Sequence, residues 1–212
     1  MTTVYNKRCG LFLGFHGCDS SVREALLLNP QNIRISTNMY DWLGTGFYVW
    51  ENNYERALDW AKNSPKIVNP SVIGVVYELA NCLDLMDTDC INAIKNSYRD
   101  FEMLIESSGL EMPDNKNVSR DAYHDKLLRN LDCAIINHTT QRTDRLYLSD
   151  VKAKGYSLIE PYDTVRGCFT EGGKLYKTEI YERTHIQVCI RNLNCIKGFF
   201  LPREAVVFPE TQ

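Results

Sequence analysis

The chain reads as an α+β domain, with strands gathered towards both ends and helices between them. Three observations carry that reading. Short apolar, β-branched or aromatic runs occur at Leu11–Phe15 and Val72–Leu79, and again in the last quarter at Thr164–Thr170, His185–Ile190 and Ile196–Leu201. Residues with helical spacing fill the middle: Ile91, Ile94, Tyr98, Phe101 and Ile105 fall on one face of a helix spanning about residues 89–107. No repeat or low-complexity linker divides the chain, and 212 residues with 44% hydrophobic content can bury one sizeable core, so residues 1–212 are expected to form a single domain.

Taken in order, Leu11-Phe12-Leu13-Gly14-Phe15 predicts a buried strand delivering His16 to its end, and Gly17 permits close backbone approach. Ser21-Val22-Arg23-Glu24 has the spacing of a capping box, opening a helix to about Leu28 that Asn29-Pro30 stops. Ile33–Ser36 is a short extended piece. Gly44 and Gly46 permit positive φ, and Phe47 and Tyr48 offer flat rings. Tyr54, Ala57, Leu58 and Ala61 then recur as a helical face, with Asn52 or Asn53 as its cap. Val72–Leu79 is β-branched enough for a central strand, while Asp84 and Asp87-Thr88-Asp89 mark a turn and a cap. Gly109 ends the long helix, residues 111–118 form a polar loop suited to an insertion, and Ser119 caps a third helix carrying Tyr123, Leu127 and Leu131. After Thr164–Thr170, a Glu171-Gly172-Gly173-Lys174 turn leads to Leu175-Tyr176 as the returning strand, followed by the strands His185–Ile190 and Ile196–Leu201.

Composition narrows the function classes. A net charge of −3 argues against a broad basic surface for nonspecific nucleic-acid binding. No apolar run reaches the ~18 residues of a membrane span, and no signal-peptide core is seen, so the expected location is the cytoplasm with no membrane partner. The eight cysteines include no C-x-x-C pair and read as reduced core thiols, not a zinc site. Asp84, Asp87 and Asp89 are better explained by capping and solvation than by metal binding, and no metal is expected. Gly44-Thr45-Gly46 lacks the third glycine of a Rossmann fingerprint and is followed by aromatics, which excludes that reading. No local signature supports a cysteine protease.

His16-Gly17, the segment Gly44–Tyr48 with its following helix, and Gln187-Val188-Cys189-Ile190 together resemble the ADP-ribosyltransferase fold, in its diphtheria-toxin and poly(ADP-ribose) polymerase branch. That branch carries His-Gly on its first core strand, then Gly-x-Gly-[Phe/Ile]-Tyr, then a late strand led by glutamate. The motifs cover about a third of this chain. The resemblance implies a split β-sheet core with inserted helices, NAD as co-substrate, and transfer of ADP-ribose to a protein or nucleic-acid acceptor. It implies that His16 bonds the nicotinamide-side ribose, the Gly17 backbone holds the carboxamide and Tyr48 stacks on the nicotinamide. Gly46 belongs to the same loop.

Cleaving the nicotinamide–ribose bond develops positive charge on the sugar, so a carboxylate is needed nearby. The position aligned with the family's glutamate is Gln187, whose carboxamide hydrogen-bonds but carries no charge. Glu171, Glu179 and Glu182 are the substitutes in reach along the chain, with Glu171 preferred. Arg166, next to Gly167, is a candidate for the dinucleotide pyrophosphate, although an ion-paired strand arginine is the commoner occurrence. His185 reads as a strand-start residue. Three classes of function follow: a transferase acting as an intracellular toxin or phage-defence effector, with a neutralising antitoxin partner if it is a toxin; a silent NAD or ADP-ribose-binding module; and an interaction protein that keeps the fold for packing.

Overall fold

A computed structural model describes residues 10–119 and 121–205. Among these residues nine strands and four α-helices follow in the order β1 (Phe12–Asp19), α1 (Ser20–Leu28), β2 (Phe47–Glu51), α2 (Tyr54–Asn63), β3 (Pro70–Tyr77), β4 (Cys82–Asp84), α3 (Thr88–Ser108), β5 (Asn115–Lys116), β6 (Leu128–Arg129), α4 (Asn130–Lys154), β7 (Thr164–Phe169), β8 (His185–Ile190) and β9 (Ile196–Phe200). Seven strands make one mixed sheet in the order β4-β7-β8-β2-β1-β3-β9, and β5 and β6 form a separate short ladder. Among the described strands of this sheet only β4 and β7 run parallel. The α+β prediction therefore holds.

Alternation along the strands divides the core between the two faces of the sheet. One face carries Cys18, Phe47, Val49, Ile73, Val75, Tyr77, Val188 and Ile190, with Leu26 of α1 packed against them. The other is covered in two portions. Ala57 of α2 packs over Trp50 and Val72, while α3 and α4 bring Ile94 and Ile136 over Leu83, Val165 and Cys189. Trp50, Gln187 and Gly167 lie in one cross-strand row between these portions.

Several elements differ from their expected form. β1 runs to Asp19, so His16 sits within the strand and not at its end. Because strand passes directly into helix, Asp19 caps α1 in place of Ser21. Its carboxylate accepts from Ser21 N at 3.1 Å, and from Val68 N at 3.1 Å and Asn69 N at 2.9 Å, which lowers its pKa to about 2. β3 is interior and almost wholly buried, but it lies next to the edge strand β9 instead of at the middle of the sheet.

The helix expected after Ser119 begins only at Asn130. His124 and Lys126 have φ of 59° and 54°, values that interrupt any right-handed helix there. The β5–β6 ladder then brings Asn115 to the start of α4, where its Oδ1 accepts from Leu131 N at 2.9 Å and Asp132 N at 3.3 Å. The cap thus comes from a residue fifteen positions upstream of Asn130, outside the reach of any local capping rule. Within α4 the buried face includes Thr139 and Thr140 beside Cys133, Ile135 and Ile136. Thr139 is tolerated there because its hydroxyl donates to Ile135 O at 2.8 Å.

Leu175-Tyr176 is not a returning strand. Tyr176 has φ of 57°, residues 170–184 form a loop closed by an isolated bridge between Lys174 and Tyr181, and β7 pairs directly with β8. No helix among the described residues is long and apolar enough to cross a membrane.

Candidate functional site

The sheet contains a local opening at the first motif. β1 pairs with β3 along its whole length, but with β2 only at Gly14↔Glu51 and Phe15↔Trp50. Asn52 N donates to Leu13 O at 3.0 Å, so Leu13 turns its backbone groups towards β2. Phe15 and Gly17 do the same by alternation. Since the register with β2 ends at Phe15, the Gly17 amide and carbonyl face the gap between the diverging strands. The His16 imidazole bridges that gap, with Nδ1 2.8 Å from Tyr48 O. A carbonyl can only accept, so Nδ1 carries the proton and Nε2 is left as an acceptor. Its ring lies against Phe47, with centroids 4.4 Å apart, and burial lowers its pKa, favouring the neutral form.

The glycines have packing reasons of their own. A β-carbon on Gly17 would overlap Ala57 O, so the close backbone approach is made by α2. Gly46 does not have positive φ. It is bare because Cys189 Sγ and Ile190 O of β8 lie against it. Gly44 does have positive φ, at 80°, and Asn137 of α4 ties this loop by accepting from Thr45 N at 3.0 Å.

Tyr48 is drawn back into the same loop. Its hydroxyl donates to Gly44 O at 2.7 Å and accepts from Leu43 N at 3.1 Å, and burial raises its pKa well above the ordinary value. In this conformation the ring braces the glycine loop over the α3–α4 portion of the core.

Arg166 lies in a buried ion cluster on the opposite face of the sheet. It holds Glu51 through two contacts, Nε to Oε2 at 2.8 Å and Nη2 to Oε1 at 2.7 Å, and Asp84 through Nη1 at 3.1 Å. Tyr77 adds a 3.4 Å bond to Glu51, and Glu51 raises the Arg166 pKa further. The guanidinium expected at a pyrophosphate is thus taken up by two carboxylates. Asp84, expected to be a solvated turn residue, is instead buried at 2% exposure.

Gln187 occupies the row between the helical portions, flanked by Trp50 and Gly167. Its Oε1 accepts the Trp42 indole N–H. Trp42 also meets Phe169 edge-on at 5.0 Å, Phe169 stacks on His185 at 5.7 Å, and Arg129 lies 4.5 Å over Phe169. His185 is therefore more than a strand-start residue: it is buried among rings, its Nδ1 lies 2.7 Å from Arg183 O, and burial lowers its pKa to about 4.

Glu171 is also buried and is paired with Arg56 of α2, which in turn pairs with Asp59. Burial raises the Glu171 pKa against the opposing effect of Arg56. The β7–β8 register continues through Arg183 N to Glu171 O at 3.0 Å, which places Glu171 four residues along from Gly167. At ~3.3 Å per residue that is about 13 Å of strand, with the Phe169–His185 pair between. Glu171 shares a face with Gln187 but does not adjoin it. Lys174 holds Glu179 at the exposed turn, with Nζ to Oε2 at 2.6 Å.

Trp42, Trp50 and Arg56 are the neighbours that sequence reasoning missed. Trp50 Nε1 and Arg56 Nε are buried donors without a hydrogen-bond partner among the described residues. Trp42 and Trp50 flank the glycine motif in sequence, and their aromatic enrichment was the available signal. Among the described residues no cluster of His, Cys, Asp and Glu is suited to a metal. Burial raises the thiols of Cys18, Cys133 and Cys195 to about 11, which suits inert core thiols, while Cys9 lies outside the described residues. Two cavities among the described residues, of about 340 and 610 Å³, share Asn81, Glu160 and Tyr162 near the start of β7, away from Gln187. Comparison of the chain with protein-family models, with curated proteins and with solved structures finds no match in any of the three.

Proposed function

We propose that this chain binds NAD at the β1–β2 gap and transfers ADP-ribose to a protein or nucleic-acid acceptor, in the manner of the ADP-ribosyltransferase fold it resembles. The observation that carries the reading is convergence. His16-Gly17, the Gly44–Tyr48 segment and Gln187 are far apart in sequence, yet β1, β2 and β8 are consecutive in the sheet. The split between β1 and β2 supports the finer fold assignment, and the Gly17 backbone facing that split suits a carboxamide, which needs one donor and one acceptor. The unpartnered Trp50 N–H near this row gives a polar ligand a further donor.

In the reaction the ribose–nicotinamide C–N bond breaks with its electron pair leaving on nicotinamide. An acceptor nucleophile forms the new bond to the same ribose carbon and gives up a proton. Neutral His16, whose ring lies against Phe47 on one face of the sheet, would meet the ligand at the β1–β2 gap, and Gln187 would orient the nicotinamide ribose on the opposite face, beside Trp50. Glu171 is the buried carboxylate on this face, and its use requires a shift from Arg56 towards the sugar. The Glu171–Arg56 pairing and the uncharged Gln187 favour a second reading, a module that binds NAD or ADP-ribose without turnover. A toxin or phage-defence role, with an antitoxin in the former case, is the biological setting proposed for an active enzyme in the cytoplasm.

The test is incubation with labelled NAD and separate pools of protein, RNA and DNA, following label transfer and free nicotinamide, with His16→Ala as control. Transfer that disappears in the control supports the transferase and identifies its acceptor class. Binding without nicotinamide release supports the silent module. No NAD binding by the wild type would sink both.

A further inference from the structure

We propose that Trp42 is a positioning residue that fixes the Gln187 carboxamide with its N–H donors turned to the bound nucleotide, so that this subsite recognises an acceptor oxygen, a ribose hydroxyl of the nicotinamide half. The proposal rests on the NAD-binding reading above and assigns the chemistry of one of its contacts.

The warrant lies in an asymmetry of hydrogen-bonding capacity. An indole N–H can only donate, so the Gln187 atom facing Trp42 Nε1 must be Oε1. The amide is planar, and fixing Oε1 towards Trp42 directs the Nε2 hydrogens away from it. Gln187 then meets a ligand as a donor, whereas a carboxylate at the same place would meet it as an acceptor and an anion.

Trp42 can hold this role because its ring is itself constrained. One side meets Phe169 at 5.0 Å between centroids. It also lies over the bare Cα of Gly167, where an added β-carbon would come within 2.7 Å of Trp42 Cη2. Gly167, Gln187 and Trp50 share one row, so the missing side chain on β7 makes room for the indole that orients the amide on β8. Trp42 is in turn carried by the glycine loop that Tyr48 and Asn137 secure. The Gly44 loop thereby acts on the site through Gln187, in addition to its own contacts.

Affinity for NAD measured by calorimetry on wild type, Trp42→Phe, Gln187→Leu and the double variant tests this. Phenylalanine keeps a ring on Phe169 and removes the donor. The expected result is about two- to twelvefold weaker binding for Trp42→Phe, the range of one hydrogen bond, with no further loss when it is added to Gln187→Leu. Equal affinity of Trp42→Phe and wild type overturns the proposal, as does an equal loss in the Gln187→Leu background, which would mean Trp42 acts through packing alone.

A ligand-free measurement covers the case in which a variant fails to fold. The Trp42 indole N–H of the wild type should exchange slowly with deuterium, and faster in Gln187→Leu. An unprotected indole in the wild type overturns the proposal. A protected indole in a protein that does not bind NAD sinks the functional reading and the nucleotide contact with it, while leaving the locked amide standing.

Discussion

Replacing Arg166 with methionine separates two uses of that residue, because a phosphate-binding arginine and a buried structural one respond differently. The Arg166 side chain is 9% exposed, and its partners Glu51 and Asp84 are 10% and 3% exposed. Methionine fills much of the same volume but leaves two buried carboxylates without their shared cation. Removing one member of a buried ion cluster costs about 3–5 kcal/mol. With an unfolding entropy of ~2.1 cal/mol/K per residue, a chain of 212 residues loses one degree of Tm for about 0.45 kcal/mol, so the expected drop is about 7–11 °C. Lys197→Met is the internal control. The Lys197–Glu78 pair is 38% and 42% exposed, so its loss should cost under about 1 kcal/mol, or about 2 °C. The assay is thermal unfolding by circular dichroism, with NAD affinity measured in parallel. An Arg166→Met protein that melts within about 2 °C of the wild type would refute the buried-cluster reasoning. Weaker NAD binding in that same protein would return Arg166 to the pyrophosphate.

Two further outcomes follow from the same geometry. Gly17→Ala places a β-carbon against the Ala57 carbonyl, a backbone atom that cannot rotate aside. It should therefore lower stability by about 3 kcal/mol or more through displacement of α2, and a denaturant midpoint unchanged from wild type would show that α2 does not lie on β1 as described. His185 has a folded pKa of about 4, below its ordinary 6.5, so its neutral form stabilises the fold above pH 6.5 and that contribution is lost as pH falls towards 4. Each pKa unit corresponds to about 1.4 kcal/mol, giving at most about 3 kcal/mol over that window. His185→Phe should flatten the decline in stability between pH 6.5 and 4, and an identical slope in wild type and variant would remove His185 as its source.

The amino-acid order was sufficient for elements whose causes are local. The helix of residues 54–63 follows from the spacing of Tyr54, Ala57, Leu58 and Ala61, with Asn53 at its cap. The α3 helix begins at an Asp87 cap and ends at Gly109 in the left-handed conformation. The strands β7, β8 and β9 follow from β-branched and aromatic runs, and their place at one end of the chain gives the α+β class. These features depend on backbone propensity and short-range hydrogen bonds, which neighbouring residues determine.

What only the tertiary structure decided depends on partners distant in sequence. Asn115 caps α4 across a loop, and the buried threonines of that helix disguise its apolar face. Arg166, next to a glycine in a strand, has no local mark that Glu51 and Asp84 will converge on it from 115 and 82 positions away. Gly17 and Gly46 look alike in sequence to glycines reserved for a ligand, and packing supplies the nearer cause for both. Likewise, Gln187 is visible in sequence as an uncharged residue where the family that its motifs resemble carries glutamate. That its amide is locked by Trp42, 145 positions earlier, is a consequence of the fold. Propensity acts over a few residues, whereas ion pairing, desolvation and steric contact act through space, and in this chain they determine what each candidate side chain is free to do.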